Sequence, residues 1–224
     1  MDMAARLIFA FWIGLMGFVP LARGQSGKWE SEIVRLEAGL REAPPGAGAV
    51  VLYGSSSFRL WTNAVAAFPG HRVVNLGFGG SQLSDLNAFY DRLVRPLEPG
   101  ILLIYGGDND LASGKSPAQV EKDFRELVGR VRATSPRTRI AFVAVKPSPS
   151  RRNLLGAQRE ANARVKKFAA WRRRVDFVDV ATPLLDSLGE PVPVFFIQDR
   201  LHLNGRGYEV WRGVVEPYLR RWDR

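Results

Sequence analysis

Five short, mainly apolar runs alternate along this chain with segments whose apolar residues recur at helical spacing, and no other feature constrains the fold as tightly. The runs cover 49–53, 72–76, 101–105, 139–145 and 175–180. A strand that is apolar throughout, rather than at every second residue, has both faces buried, which is the condition of a parallel sheet covered by helices on either side. Between the runs, Trp29, Ile33, Leu36 and Leu40 predict a helix over 28–42, stopped by Ala43-Pro44-Pro45-Gly46. Leu83, Leu86, Tyr90 and Leu93 predict a second helix. Ser116-Pro117-Ala118-Gln119 reads as an N-cap, a first-turn proline and a capping-box glutamine, opening a third helix through Val120, Phe124, Leu127 and Val131. A long fourth helix follows from Leu154 to Trp171, and Asn204 caps a last one carrying Tyr208, Trp211, Val215 and Tyr218. With right-handed crossovers the expected architecture is α/β, a three-layer α/β/α sandwich on a five-stranded parallel sheet, forming one domain over 25–224.

The first residues read differently. Arg6 precedes an apolar run from Leu7 to Val19, closed by Pro20 and by Ala22-Arg23-Gly24. That run is shorter than the ~20 residues a helix needs to cross a bilayer, and small residues occupy the positions a signal peptidase reads. Residues 1–24 are expected to be a cleaved secretory signal, with an uncleaved membrane anchor or a buried core helix as alternatives. The localisation implied is secreted or periplasmic.

In an open parallel sheet, ligands bind beyond the carboxyl ends of the strands, and the unusual residues of this sequence fall there. Gly54-Ser55-Ser56-Ser57 follows the first strand, Gly77-Phe78-Gly79-Gly80 the second, and Gly107-Asp108-Asn109-Asp110 the third. A longer excursion after the fifth leads to Asp199-Arg200-Leu201-His202. Each glycine turn alone is ordinary, because tight βα turns need glycine. Four on one rim, each bringing a hydroxyl, amide, carboxylate or imidazole, point to chemistry.

A serine hydroxyl is a poor nucleophile until a base takes its proton. There are two histidines and no cysteine, so there is no thiol nucleophile and little for a histidine metal site. His71 sits in a turn at the start of the second strand, the wrong end of the sheet. His202 sits at the productive end with Asp199 three residues earlier, so the carboxylate can hold one ring nitrogen while the other faces outward. The order Ser, Asp, His suits a hydrolase built on an α/β sheet. Backbone N–H groups of Ser56 and Gly80 and the side-chain amide of Asn109 are candidate donors to a developing oxyanion.

These four blocks resemble those of the SGNH hydrolases, the GDSL-type esterases and lipases. The family's Gly-Asp-Ser turn corresponds to Gly54-Ser55-Ser56, and its Asn-x-Gly-x-x-Gly turn to Asn75 through Gly80. Its Gly-x-Asn-Asp turn corresponds to Gly107 through Asp110, and its Asp-x-x-His turn to Asp199 through His202. The resemblance spans 54 to 202 in the family's order. It implies the flavodoxin-like SGNH hydrolase fold, Ser56 as nucleophile, Gly80 and Asn109 as oxyanion-hole donors, and Asp199 with His202 as the acid–base pair. Ser55 stands where the family's name-giving aspartate usually stands. Three successive serines also leave Ser55 and Ser57 as alternatives to Ser56, with Gly54 as the block's glycine selecting Ser56.

Other chemistries find no support. Asp108-Asn109-Asp110 lacks the glycine and closing glutamate of a calcium loop, Gln82 stands where a dinucleotide fingerprint needs glycine, and no Walker lysine occurs. The expected function is a secreted serine esterase acting on acetylated carbohydrate or short-chain lipid esters through an acyl-enzyme, with no metal or cofactor. The alternative is a catalytically silent binding module for anionic envelope polymers. Phe195 and Phe196 are candidates for an acyl pocket or for ordinary core, and Arg59, Trp61 and Lys146 for the cleft wall. Thirty-two basic residues against 22 acidic give a net charge of +10, concentrated in Arg151–Arg174, where nine basic residues face the single acid Glu160. That run reads as the solvated face of a packed helix. Any partner it has is an anionic envelope surface rather than nucleic acid, since no DNA- or RNA-binding motif is present.

Overall fold

The structure is a computed structural model that describes residues 26–222, so the expected signal segment over 1–24 lies outside the described residues. Five parallel strands form one sheet in the order β2-β1-β3-β4-β5. The chain enters through helix α1 (Glu30–Glu42) and strand β1 (Val50–Gly54), then makes two one-turn helices, α2 (Ser56–Arg59) and α3 (Ala64–Ala67). Strand β2 (Val73–Gly77), helix α4 (Leu83–Leu93), strand β3 (Ile101–Tyr105) and the one-turn helix α5 (Asp108–Ala112) follow. Helix α6 (Pro117–Thr134), strand β4 (Arg139–Val143), helix α7 (Leu155–Ala170), strand β5 (Val175–Val178) and helix α8 (Gly205–Arg220) complete the order. This is the expected three-layer α/β/α sandwich.

The two-residue period of each strand divides the core. Val51, Tyr53, Leu102 and Ile104 point to the side covered by α1, α4, α6 and α7. Val50, Leu52, Ile101 and Leu103 point to the side covered by α8 and the short helices after β1. Strands β1 and β3 are buried at every residue, which is why they read as continuous apolar runs. On the second face Trp61 stacks on Tyr208 with ring centroids 5.3 Å apart and meets Trp211 edge-on at 5.9 Å. Aromatic contacts of this kind add about 1 kcal/mol each beyond the area they bury.

The fourth and fifth strands end earlier than the apolar runs that announced them. Val145 stays buried after β4, but its backbone is held by the Asn162 side chain, which accepts from its N–H at 2.8 Å and donates to its carbonyl at 2.9 Å. A helix side chain thus replaces the strand ladder as the chain turns toward the rim. The expected helix from Leu154 likewise begins as a 3-10 segment, Pro149–Leu154, before α7.

Candidate active site

Ser56 is the first residue of α2, directly beyond β1. Glycine at the strand ends lets that turn sit close: a Cβ on Gly54 would lie 2.3 Å from the Tyr105 carbonyl oxygen, and one on Gly77 would lie 2.3 Å from the Arg59 backbone nitrogen. Asn75 ties the turn down, its Nδ2 donating to the Phe58 carbonyl at 2.7 Å while its Oδ1 accepts from Gly77 N–H at 3.0 Å. Of the three serines, Ser55 and Ser57 are buried and Ser56 is partly open. The Ser55 backbone N–H donates to the Tyr105 carbonyl, and the Ser57 carbonyl accepts from the Tyr208 hydroxyl at 2.9 Å. The Ser56 hydroxyl faces the rim.

There it meets His202. Ser56 Oγ lies 2.9 Å from His202 Nε2, and His202 Nδ1 lies 2.5 Å from Asp199 Oδ2. The other Asp199 oxygen accepts from the backbone N–H groups of Leu201 at 2.8 Å and His202 at 2.9 Å, so the turn is organised by its own carboxylate. Arg200 takes a left-handed backbone, φ +58°, to close it. Partial burial alone would raise the Asp199 pKa, but hydrogen bonds from the His202 backbone and ring and from Leu201 outweigh that and hold it at about 2. A hydroxyl bonded to an imidazole whose far nitrogen meets a carboxylate can pass its proton to the ring as it attacks. His71, by contrast, lines a groove with Val50 and Ile101 at the opposite end of the sheet.

Gly80 ends the turn after β2 with φ +75°, and open space surrounds the position a Cβ would take. The preceding turn is held from α1's side by Trp29, whose indole N–H donates to the Gly79 carbonyl at 2.7 Å. Asn109 is the second residue of α5. Its Nδ2 donates to the Ser81 carbonyl at 3.0 Å, and its Oδ1 accepts from Arg151 Nη2 at 3.1 Å. Those two contacts fix which way the amide faces and leave the second Nδ2 hydrogen for another acceptor.

Behind Asn109 lies an ionic cluster that the sequence did not reveal. Asp108 is buried and ion-paired to Lys146 at 3.2 Å and to Arg151 at 2.7 Å. Burial pushes the Asp108 carboxyl up, and the Lys146 and Arg151 cations more than reverse that, leaving it below the usual carboxylate range. Arg151 therefore leaves the basic run to which the sequence assigned it and joins the support of the rim. Its neighbour Ser150 donates a backbone N–H to the Arg200 carbonyl at 3.0 Å, joining this segment to the His202 turn. Neither Arg151 nor Trp29 carries a local signal of such a role. The contacts join residues 42 and 50 positions apart.

Other candidates for the cleft wall belong elsewhere. Trp61 is core, Lys146 is fully buried in the Asp108 cluster, and Phe196 is core, paired through a backbone bridge to Leu203. Phe195 packs half-buried against the same core, while Arg59 remains at the surface beside Gly79 and 3.9 Å from Glu32. The remainder of the basic run disperses: Arg152 pairs with Glu190, Arg164 with Glu160, and Arg172, Arg173 and Arg174 line a groove at the far end of the sheet.

The family described as GDSL-like lipase/acylhydrolase matches residues 40–210. No curated protein matches the chain in sequence. Among solved structures, the chain is similar to a protein from Streptococcus pneumonia assigned provisionally as a platelet activating factor, at TM-score 0.75 and 20% identity over 86% of this chain and 93% of that one. A GDSL-like lipase from Bacteroides thetaiotaomicron aligns at TM-score 0.69 and 18% identity over 87% and 97% of the two chains. A catalytic mutant of an acetylxylan esterase from Geobacillus stearothermophilus aligns at 0.61 and 18% over 80% and 95%.

Proposed function

Since the chain belongs to the GDSL-like lipase/acylhydrolase family, we propose that it hydrolyses carboxylic esters through an acyl-enzyme formed on Ser56. The observation that carries the proposal is the continuous contact from Ser56 Oγ through His202 to Asp199, at 2.9 and 2.5 Å. Oγ attacks the ester carbonyl carbon as its proton moves to His202 Nε2. The resulting oxyanion takes hydrogen bonds from the N–H groups of Ser56 and Gly80 and from Asn109 Nδ2. Collapse breaks the bond to the alcohol oxygen, which leaves with the proton from Nε2. Water, deprotonated by the same nitrogen, then attacks the acyl-enzyme and releases the acid. Asp199, a carboxylate down to about pH 2, keeps Nδ1 protonated and stabilises the imidazolium.

The substrate class we favour is a small ester or an acetylated carbohydrate. Ser56 and His202 are both partly exposed, among the described residues no long apolar helix is available to cover them, and structural neighbours include an acetylxylan esterase and a carbohydrate esterase from Talaromyces cellulolyticus. We also propose that the protein is exported, from the apolar run Leu7–Val19. Ser56→Ala should abolish turnover of p-nitrophenyl acetate and labelling by a fluorophosphonate while the protein stays folded. Persistent turnover would sink the assignment, and absent labelling of the wild type would favour a silent binding module. A series of p-nitrophenyl esters from acetyl to palmitoyl should show activity falling with chain length.

A further inference from the structure

The end of the sheet remote from Ser56, where β4 and β5 begin, carries an open groove of about 670 Å³. Arg125, Arg132, Arg137, Arg172, Arg173 and Arg174 line it, and no carboxylate does. Of the acids nearby, Glu121 pairs with one lining residue, Arg125, at 2.8 Å and with Arg164 at 3.6 Å, while Asp176 pairs with Arg139 at 2.8 Å. Among the described residues, none pairs with Arg132, Arg137, Arg172, Arg173 or Arg174.

Apart from the Arg125–Glu121 pair, the contacts that hold arginines here order them without cancelling their charge. Arg132 donates to the Thr138 and Arg174 carbonyls, both at 2.7 Å, and Arg174 donates to the Arg137 carbonyl. The guanidinium carbons of Arg125 and Arg172 lie over the Phe168 ring, 4.6 and 5.3 Å from its centroid. Burial, with the charges of Arg174 and Arg139, pulls the Arg132 pKa below its ordinary value. Arg132, Arg172 and Arg174, held in this way, with Arg137 and Arg173 exposed beside them, present guanidinium forks matched to phosphate oxygens.

Two indoles flank the array. Trp171 is 80% exposed and sits in the adjoining groove with Lys167 and Arg172, and Trp222 is 41% exposed and sits in the groove on the other side with Arg137 and Arg174. Amphipathic aromatics beside cations are the composition of a protein surface seated at the headgroup level of a bilayer. We propose that this end of the molecule docks on an anionic phospholipid bilayer, the arginines taking lipid phosphates while Trp171 and Trp222 enter the headgroup layer. Docked so, the Ser56 rim, at the opposite ends of the strands, faces away from the membrane. The inference is independent of the esterase reading, and the Ser56→Ala variant should dock as the wild type does.

The test is co-sedimentation of the full chain with vesicles of phosphatidylcholine alone and of phosphatidylcholine with phosphatidylglycerol, at low salt. The apolar run near the N-terminus is common to all variants, so the readout is the preference for anionic over neutral vesicles. The wild type should prefer anionic vesicles by roughly tenfold or more, and should lose the preference in about 1 M salt. Arg137→Ser/Arg172→Ser/Arg173→Ser, three exposed positions, should abolish it with an unchanged thermal melt. Trp171→Ala should reduce the blue shift of indole fluorescence on vesicle binding. Equal binding to both vesicle types, or a triple variant that keeps the preference, would overturn the proposal. So would inorganic phosphate or a single-stranded oligonucleotide that displaces the protein from vesicles at micromolar concentration, since either would make the groove a site for that ligand instead.

Discussion

Arg151 donates to Asn109 Oδ1 at 3.1 Å while pairing with Asp108 at 2.7 Å, so one guanidinium fixes the orientation of the side-chain amide proposed to face the oxyanion. An amide has two faces of opposite polarity. Turned over, Asn109 would present a carbonyl oxygen to a developing negative charge. Arg151 forbids the flip by occupying the oxygen, and the Ser81 carbonyl forbids it by occupying one hydrogen of the nitrogen.

Asn109→Ala should therefore lower kcat/KM by roughly 10²–10³, the loss from removing one oxyanion donor. Arg151→Met should leave the donor present but unoriented and lower kcat by about tenfold, with KM changed less than twofold. Arg151→Lys should recover part of that loss, since an ammonium reaches Asp108 but cannot fork to both partners. Steady-state kinetics on p-nitrophenyl acetate distinguishes the three, and a wild-type kcat in Arg151→Met would refute the positioning role.

Lys146 and Asp108 are buried together, and Lys146→Met would leave Asp108 with Arg151 as its one cation, beside the Gln158 amide that donates to it at 3.4 Å. Losing one partner of a buried ion pair typically costs 3–5 kcal/mol, and the remaining guanidinium should hold the loss near the lower end, about 3 kcal/mol. Urea unfolding at pH 7 measures it. The double change Lys146→Met/Asp108→Leu should be less destabilised than Asp108→Leu alone, because it strands only the partly exposed Arg151 and not the fully buried Lys146 as well.

Asp199 sets a sign for pH dependence. Its pKa of about 2 in the fold lies below the ~3.9 of an unfolded aspartate, so the folded state binds this proton more weakly. Its contribution to stability is complete above about pH 5 and is lost as the pH falls through 4 toward 2. The stability gap between wild type and Asp199→Asn should be flat from pH 5 to 8 and close below pH 4, by a modest amount because the side chain is 42% exposed and solvent screens it. At pH 7 the same variant should lose roughly 10³–10⁴ in kcat, since an amide can donate to Nδ1 and hold the ring in the wrong tautomer. A variant with the wild-type acid profile would show that the bonds to Leu201 and His202 do not act as described.

Two glycines of the second turn separate steric from conformational demand. Gly77→Ala would put a methyl 2.3 Å from the backbone of α2, so the Ser56 turn must move, and both activity and thermal stability should fall sharply. Gly80→Ala meets no atom within 4 Å and carries only the strain of its φ of +75°, about 1 kcal/mol. Calorimetry with parallel kinetics should rank Gly77→Ala well below Gly80→Ala, and the reverse order would contradict the packing of β2 against α2.

The sheet was legible in the sequence because burial on both faces writes itself into a strand as an unbroken apolar run, as at Val50–Gly54 and Ile101–Tyr105. The rim was legible because glycine is required where strand ends crowd a turn. The one-turn helices α2, α3 and α5 left no trace, since four or five residues cannot display a 3.6-residue period. The Asp108 cluster was hidden for another reason. Arg151 and Lys146 have the composition of surface residues, and their burial follows only from meeting an aspartate 38 to 43 residues earlier in the chain.

The distance in sequence between Ser56 and its partners has a consequence for biosynthesis. His202 contacts Ser56 across 146 residues, and Tyr208 of α8 holds the adjacent Ser57 carbonyl across 151. The serine is synthesised well before its proposed base and the helix that clamps its turn. A chain synthesised only part of the way from Ser56 to His202 therefore carries the hydroxyl without the imidazole proposed to activate it, and the proposed nucleophile is latent until His202 and Tyr208 have been added.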